Sequence, residues 1–478
     1  MRKQLFFWIF FAITALSMGA DWYVHPDGSA DPNGAMDHPF STIRQALEAA
    51  QSGDRILLLP GVYSGAGNTT LNPEGKILTI QSLSPENPDM VASTILDPSG
   101  LGRGFVFLNN EGPQFVLQGL TIRNASCSQE DDPPHGAGIF CSGASPTIRL
   151  CIFENCNADG GWGGAFYGEF SNSVFDHCLF VGNKGRYGGA IAANLSSSIS
   201  LLHCTIAGNT ALFAGGGIVC DFESSVFLRN SILFFNTIEA PEEGMGVQIE
   251  LRSSFLAASY SDIAAGTNDI RADEESFVTF GAGILHLDPL FAFYAPEAPL
   301  EELDFHLKSR FGRWDRQDRA WKQDGSTSPC IDAGDPNTPW SAEPWPNGKR
   351  VNLGFYGGTV QASLYGNPAD FNTDGIADLF DLSEFLEVWL SNCTSDFHDL
   401  SRDGRVDFDD FELFSRHWLQ KVKNSADFDL DGDVDGNDFA LFSEKWLQEG
   451  DFPQDLNSDA AVDLNDLVLF VQEWLWKI

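Results

Sequence analysis

Five six-residue segments recur along the middle of this chain. Gly119-Leu-Thr-Ile-Arg-Asn124, Cys151-Ile-Phe-Glu-Asn-Cys156, Cys178-Leu-Phe-Val-Gly-Asn183, Cys204-Thr-Ile-Ala-Gly-Asn209 and Ser231-Ile-Leu-Phe-Phe-Asn236 align without gaps at a period of 26 to 32 residues. A second marker lies 13 to 15 residues ahead of each later segment: Gly138-Ile139, Gly164-Ala165-Phe166, Gly189-Ala190-Ile191 and Gly216-Gly217-Ile218. The runs between markers are short and alternate in polarity, with Gly, Asn and Ser at their ends and no helical stretch. One such unit cannot bury its own apolar face, but copies stacked on each other share a continuous core. The repeat therefore predicts a mainly β solenoid with one coil per period. A propeller or a Greek-key sandwich does not account for so regular a coil-sized spacing. Asn124, Asn183, Asn209 and Asn236 are expected to form a turn ladder, since Asn tolerates unusual backbone angles and its amide reaches the amide one coil away. Cys151, Cys178 and Cys204 share one coil position and are expected to stack as small buried apolar groups. A disulfide such as Cys151 with Cys156 is the alternative, and no C-x-x-C pair points to zinc or redox chemistry.

This organisation resembles the right-handed parallel β-helix, the pectin lyase-like fold. The resemblance extends to Asp21-Trp-Tyr-Val-His-Pro-Asp-Gly28, Pro39-Phe-Ser-Thr-Ile-Arg-Gln-Ala-Leu47 and Ser52-Gly-Asp-Arg-Ile-Leu-Leu-Leu-Pro-Gly-Val-Tyr63, which look like the opening of secreted β-helix proteins. It implies a short helix, Thr42 to Gln51, capping the first coil and protecting its open edge. Asp288-Pro-Leu-Phe291, Asp304-Phe-His-Leu307, Ser328-Pro-Cys-Ile-Asp-Ala-Gly-Asp335 and Val351-Asn-Leu-Gly-Phe-Tyr-Gly-Gly358 are similar to closing motifs of such proteins, many from planctomycete-like bacteria. The resemblance covers residues 21–365.

The last hundred or so residues carry a different pattern. Oxygen-bearing side chains fall at positions 1, 3, 5, 9 and 12 of four twelve-residue loops, as calcium loops of the EF-hand type require. The first loop has Asp370, Asn372, Asp374, Asp378 and Asp381; the second has Asp399, Ser401, Asp403, Asp407 and Asp410. The third has Asp427, Asp429, Asp431, Asp435 and Asp438; the fourth has Asp455, Asn457, Asp459, Asp463 and Asp466. Backbone carbonyls of Ile376, Arg405, Asp433 and Ala461 are expected to add the seventh-position ligand. Glycine holds position 6 in three loops, and Ala460 replaces it in the fourth. Carboxylates gathered this closely repel one another by several kcal/mol per pair unless a cation neutralises them. A disordered acidic tail would lack apolar periodicity. Here each loop is followed by a helical stripe: Leu382, Phe385, Leu386, Trp389 and Leu390, then Phe411, Phe414, Trp418 and Leu419, then Phe439, Phe442, Trp446 and Leu447, then Leu467, Phe470, Trp474 and Leu475.

The loops recur every 28 or 29 residues, which leaves room for a loop and one helix only. With Asp rather than Glu at position 12, residues 366–478 resemble the type I dockerin repeat. The resemblance implies bound calcium and a cohesin-like scaffold protein as partner. Four repeats in place of two suggest either two tandem pairs or one extended array. At positions 10 and 11, where many dockerins read the partner with a Ser-Thr-like pair, this chain has Leu379-Phe380, Phe408-Asp409, Gly436-Asn437 and Leu464-Asn465. A module that only stabilises the main domain is the other reading.

At 478 residues the chain is long enough for a large core and a smaller module, and its net charge of −39 argues against nucleic acid or an anionic membrane as partner. Met1-Arg2-Lys3, the apolar run Leu5 to Leu16 and the small residues Ser17, Gly19 and Ala20 have the parts of a secretory signal peptide, residues 1–20. Secretion is expected, with no membrane contact after cleavage near Ala20. No second segment is long and apolar enough to span a bilayer.

A solenoid places function in residues that recur at one coil position. Aligning the Gly-rich markers brings Ser142, Glu169, Asn194, Asp221 and Glu250 into one column. A second column, just before the Cys positions, holds His177, His203, Asn230 and Tyr260, with Asp176 and Arg229 beside it. Glu169 and Asp221, two coils apart at about 4.8 Å per coil, suit an acid and base pair, and His203 joins them as a candidate catalytic residue. Polar columns also arise without function, since every second side chain of a strand faces out. Arg229 and Arg252 are candidate cations for a lyase. The Arg-x-Pro-x-x-Arg segment of pectate lyases is missing, as are the Asn-Thr-Asp and Arg-Ile-Lys segments of polygalacturonases. Trp162, Tyr167, Tyr187 and Phe213 lie near coil corners; Trp314, Trp321, Trp340 and Trp345 crowd into 310–346, either overhanging the groove or forming a terminal cap. These features predict a secreted protein that acts on or binds extracellular polysaccharide, as hydrolase or lyase. The alternative is a non-catalytic surface adhesive or scaffold component.

Overall fold

The computed structural model describes residues 19–478 except 129, 132, 241–245, 265–268, 373–375, 393–396, 402–403, 420–425, 427, 429–433, 435, 449–453, 455–461 and 475–478. One coil shows how the repeat becomes structure. Strands Phe166–Glu169, Val174–Asp176, Leu179–Val181 and Lys184–Tyr187 follow in order, and the next strand, Ile191–Asn194, lies parallel beside the first, with Phe166 opposite Ile191 and Glu169 opposite Asn194. Successive coils thus stack four parallel sheets of ten, seven, nine and five strands. Alternate residues point inward: Phe166, Phe175 and Phe180 belong to one continuous core that runs from Val24 to Ile263. Phe153 stacks on Phe180 at 4.9 Å, a geometry that adds to plain area burial.

The two ends of the stack differ. Helix Ile43–Ala49 begins at Thr42, whose side chain and Gln45 form a capping box, and puts Ile43, Ala46 and Leu47 into the core beneath the first coil. It ends before Ala50, which is already extended, so it is shorter than the expected Thr42 to Gln51. Beyond strand Ile284–Leu285 the chain turns back along the outside of the nine-stranded sheet. There Phe291, Phe305, Leu353 and Phe355 cover the outward-facing Leu179, Val181, Ala207 and Ile232.

The repeat alignment needs one correction. Ile152 pairs with Thr121, so the first segment is displaced by one residue and Asn124 stands beside Asn155. The buried ladder is Asn183, Asn209 and Asn236, each amide donating to the next oxygen at 2.9 Å and the last donating to Gln248 Oε1 at 2.7 Å. Asn124 instead accepts from Asn155 Nδ2 at 2.7 Å and donates to Asp97, forming a second, more exposed ladder. Nor do the buried asparagines supply unusual backbone angles. The left-handed residue is the one before each: Gly182 (φ 65°), Gly208 (φ 67°) and Phe235 (φ 57°). Cys151, Cys178 and Cys204 do stack as buried residues, with Sγ of Cys178 and Cys204 each 3.6 Å from a carbonyl one coil back. All eight described cysteines are free and buried, so no Cys151–Cys156 disulfide forms.

The tail forms helices Leu379–Glu387, Phe408–Arg416, Gly436–Glu444 and Leu464–Trp474. They pack in two pairs. Phe385 and Phe414 share one core with Phe371 and Val406, while Phe442 and Phe470 share another with Val434 and Val462. Within the first pair the link is reciprocal: Leu390 N–H donates to Val406 O, and Leu419 N–H donates to Ala377 O, both at 2.8 Å. Pairing buries a narrower stripe than the sequence suggests, leaving Leu386, Leu390, Leu419 and Leu447 exposed. Among the described residues no helix is long and apolar enough to cross a membrane.

Candidate functional site

The acid column lies on the outward face of the seven-stranded sheet. Ser142 stands opposite Glu169 and Glu169 opposite Asn194. Ala193 pairs with Cys220, which carries Asp221 into the same column. Glu169 is held by hydroxyls: Ser142 Oγ donates to Oε1 at 2.6 Å, and Tyr167 OH donates to Oε2 at 3.2 Å. Asn194 Nδ2 fixes that phenol from the other side at 2.9 Å. Burial pushes the Tyr167 phenol up to about 12, so it stays protonated and available as donor. Asp221 is 8% exposed, and its burial raises the carboxyl above the usual aspartate range, opposed by its hydrogen bond from Phe222 N–H and by Arg252 at 3.8 Å.

Glu250 does not belong to this column. Ile218 pairs with Ile249, so Glu250 lies opposite Val219 and Arg252 takes the position beyond Asp221. Glu250 is fully buried and paired with Arg271 at 2.5 Å and Arg252 at 3.3 Å. The marker alignment failed because this coil has no Gly-Gly-Ile to anchor it.

Two aromatic residues that sequence reasoning missed flank the acids. Phe170 and Phe222 each follow a column acid, are 58% and 57% exposed, and have φ of 51° and 48°. The left-handed turn recurs at this coil position, with Gly143, Leu195 and Ser253 at φ of 65°, 49° and 47°, so it belongs to the solenoid, and only the two exposed rings are particular to Phe170 and Phe222. The recoverable signal was an aromatic directly after the acid, Glu169-Phe170 and Asp221-Phe222, where a turn must begin. Farther back, Tyr167 packs with His135 at 4.6 Å, and Arg252 lies over the Tyr187 ring at 4.7 Å.

The histidine column is elsewhere. His177, His203, Asn230 and Tyr260 do recur at one coil position, each left-handed with φ between 46° and 52°. That turn lies across a whole strand of the ten-stranded sheet from the acids, and the returning C-terminal segment covers it. His177 Nε2 lies 2.9 Å from Gly357 O, Asn230 Oδ1 accepts from Asp335 N–H at 2.7 Å, and Arg229 faces Asp335 at 3.7 Å. His203 is 6% exposed, bonded to Asn230 Nδ2 at 2.9 Å and stacked on His177. The grouping of His203 with Glu169 and Asp221 is therefore corrected: it packs under segment 354–358 and meets neither acid. The turn does bring adjacent Asp176 and His177 together, Oδ1 to Nδ1 at 2.7 Å; burial would raise the Asp176 carboxyl, but His177 and Arg149 outweigh it and leave it lowered to about 2.

In the tail, the described loop residues are Asp370, Asn372, Ile376, Asp378 and Asp381, then Asp399, Ser401, Arg405, Asp407 and Asp410, then Asp438, Asp463 and Asp466. Asp374, Asp403, Asp427, Asp429, Asp431, Asp433, Asp435, Asp455, Asn457, Asp459 and Ala461 lie outside the described residues. Among the described residues no group of three or more His, Cys, Asp or Glu is arranged to hold a metal ion. The loop frame nonetheless fits one. Asp381 and Asp410 are fully buried, and each accepts backbone N–H groups from loop positions 3 and 9: Asn372 and Asp378 at 3.0 and 2.8 Å, Ser401 and Asp407 at 2.8 and 2.7 Å. Asp399 accepts the Gly404 N–H at 2.8 Å, the turn for which glycine stands at position 6. Among the described residues no ion pair reaches Asp381 or Asp410, and a buried carboxylate without a positive partner is costly.

Residues 91–260 match the family model described as right handed beta helix region, so the coils of that stretch are those of a right-handed β-helix. Over 68 residues the chain is 37% identical to pectate lyase PEL9 of Emericella nidulans, covering 14% of this chain and 17% of that protein. Over 129 residues it is 26% identical to the uncharacterized protein YwoF of Bacillus subtilis, covering 27% of each. The chain thus matches well under two thirds of the length of either relative. Among solved structures, pectate lyase Pel9A superposes with a TM-score of 0.32 and 13% identity, covering 71% of this chain and 96% of that one.

Proposed function

We propose that this is a secreted, polysaccharide-active β-helix protein whose substrate lies along the column from Ser142 to Arg252. The observation that carries the reading is Glu169 and Asp221 on one outward column, flanked by exposed Phe170 and Phe222. Two coils separate the acids by about 10 Å at β spacing, close to the 6.5–9.5 Å of inverting glycosidases. Asp221, with its raised pKa, is the proton donor to the departing glycosidic oxygen, and Glu169, set by Ser142 and Tyr167, is the base. Phe170 and Phe222 offer faces for sugar rings. His203 takes no part.

Arg252 in the column favours a second reading within the same site. A guanidinium beside Asp221 suits a uronate carboxylate, which a β-eliminating lyase must neutralise. The likeness to a pectate lyase over a short stretch supports it. A panel of neutral and uronate polysaccharides decides: new reducing ends alone indicate hydrolysis, and unsaturated uronides indicate elimination. Glu169→Gln and Asp221→Asn should each lower turnover at least a hundredfold. Unchanged turnover in both removes the site.

The tail is read as a calcium-binding, dockerin-like module that attaches the protein to a cohesin-like scaffold outside the cell. Its support is the loop frame around buried Asp381 and Asp410. Bound calcium would neutralise the clustered carboxylates and tie each loop to its helix. Leu379, Phe380 and Phe408, at positions 10 and 11, are 71%, 71% and 74% exposed, as a docking surface requires. Binding to a panel of cohesin domains with calcium, abolished by chelator, tests it.

A further inference from the structure

Away from the acid column, the Trp-rich segment closes over a cleft of about 1320 Å³ shared with the loop at residues 84–89 and the first helical pair. Its volume exceeds the roughly 300–1,000 Å³ of single small-molecule sites, so an oligomeric ligand fits better than one ring. Trp314, Trp321, Trp340 and Trp345 line it. Trp314 and Trp321 face each other across an antiparallel hairpin, edge to face at 5.7 Å, and Arg319 of that hairpin reaches Asp89 on the opposite rim at 3.3 Å. Trp345 is committed to the fold, its indole N–H donating to Pro368 O at 2.7 Å and its ring packed on Phe397 at 4.8 Å. Among the described residues the Trp340 side chain makes no hydrogen bond or ring contact of that kind.

Two buried polar atoms of the lining lack partners among the described residues: Trp314 Nε1 and Glu343 Oε2. Glu343 is 6% exposed, and its other oxygen accepts the N–H groups of Asn352 and Gly358 at 2.7 and 2.6 Å. An unmatched buried polar atom is destabilising, and a ligand donor or acceptor can satisfy it. Burial pushes the Glu343 carboxyl up to about 8, so near neutral pH it carries a proton and can donate, as the indole does. Glu86, Asp89 and Asp399 also line the cleft, Asp89 paired with Arg319, and no Lys, Arg or His among the described residues does.

From these features we propose that the cleft binds a neutral oligosaccharide. Tryptophan rings present apolar platforms to the C–H faces of sugar rings, and the unpartnered polar atoms meet hydroxyls. Among the described lining residues no Lys, Arg or His offers a polyuronate a counter-charge, and Arg319 on the rim is already paired with Asp89. This cleft is distinct in position from the acid column and lacks the guanidinium that Arg252 places there.

The full-length protein is titrated calorimetrically with cellohexaose, xylohexaose, mannohexaose and hexagalacturonate. At least one neutral hexasaccharide should bind, at least tenfold more weakly in Trp340→Ala and severalfold more weakly in Trp314→Phe, which keeps the ring and removes the N–H. Glu169→Gln should leave that binding unchanged. The proposal is overturned if no neutral probe binds, if binding survives both tryptophan substitutions, or if it is lost in Glu169→Gln instead. Thermal midpoints of the tryptophan variants within a few degrees of the parent establish that folding is intact.

Discussion

His177 and His203 stack face to face on successive coils, with ring centroids 4.4 Å apart and planes within 3°. The pair shows what became of the second polar column. It is an internal seam, pressed between the solenoid and the segment that returns over it.

Acid should loosen that seam. Burial, reinforced by His177 and Arg229 and opposed by Asp176, lowers His203 to about 3. The unfolded chain takes up this proton near pH 6.5 and the folded chain only near 3, so stability is complete above pH 6.5 and declines as pH falls through that window. The loss is on the order of 2 kcal/mol by pH 5. His203→Asn, with a residue that tolerates the left-handed backbone, should flatten the fall in thermal midpoint between pH 7 and pH 5. Parallel profiles for parent and variant would contradict this.

The two asparagine ladders should respond unequally. Asn209 is fully buried and engages Asn183, Asn236 and Phe180 O, so Asn209→Ala should cost about 2–4 kcal/mol. Asn124 is partly exposed and left-handed (φ 53°), so Asn124→Gly should cost about 1 kcal/mol or less. Equal losses in denaturant melts would mean that the displaced register is wrong.

Phe222 should trade stability for binding. Its left-handed backbone costs about 1–2 kcal/mol, which glycine avoids. Phe222→Gly should therefore melt no lower than the parent while binding polysaccharide severalfold more weakly. A variant that melts lower and binds normally would show the ring to be structural.

Removing divalent cations should act on the tail alone. Its two helical pairs have separate cores, so chelation should abolish helical circular dichroism in two steps on calcium titration while the β signal persists. Helicity unmoved by chelator would refute the calcium reading.

Much of this was legible in the sequence because a solenoid makes it so. Coils stack in register, so identical backbone environments return at a fixed chain interval, and Cys151, Cys178 and Cys204 could be read as one buried stack without coordinates. The cap at Ile43–Ala49 was likewise written locally, in Thr42 and Gln45. Displacements of one or two residues were not legible. Asn124 matched the ladder in spelling, but the pairing of Ile152 with Thr121 placed it one position early, and a displacement of two gave the place of Glu250 to Arg252.

Periodicity and local capping suffice to specify β coils ahead of four loop and helix units, whereas the pairing of those units came from their packing. Which polar column the returning chain covers was settled by tertiary contact alone. Glu169 and His203 look alike in sequence, each polar and recurring. The difference is that Gly354 to Gly358, some 150 residues beyond His203, folds back onto the histidines and not onto the acid column, and a contact that distant leaves no periodic trace in the chain.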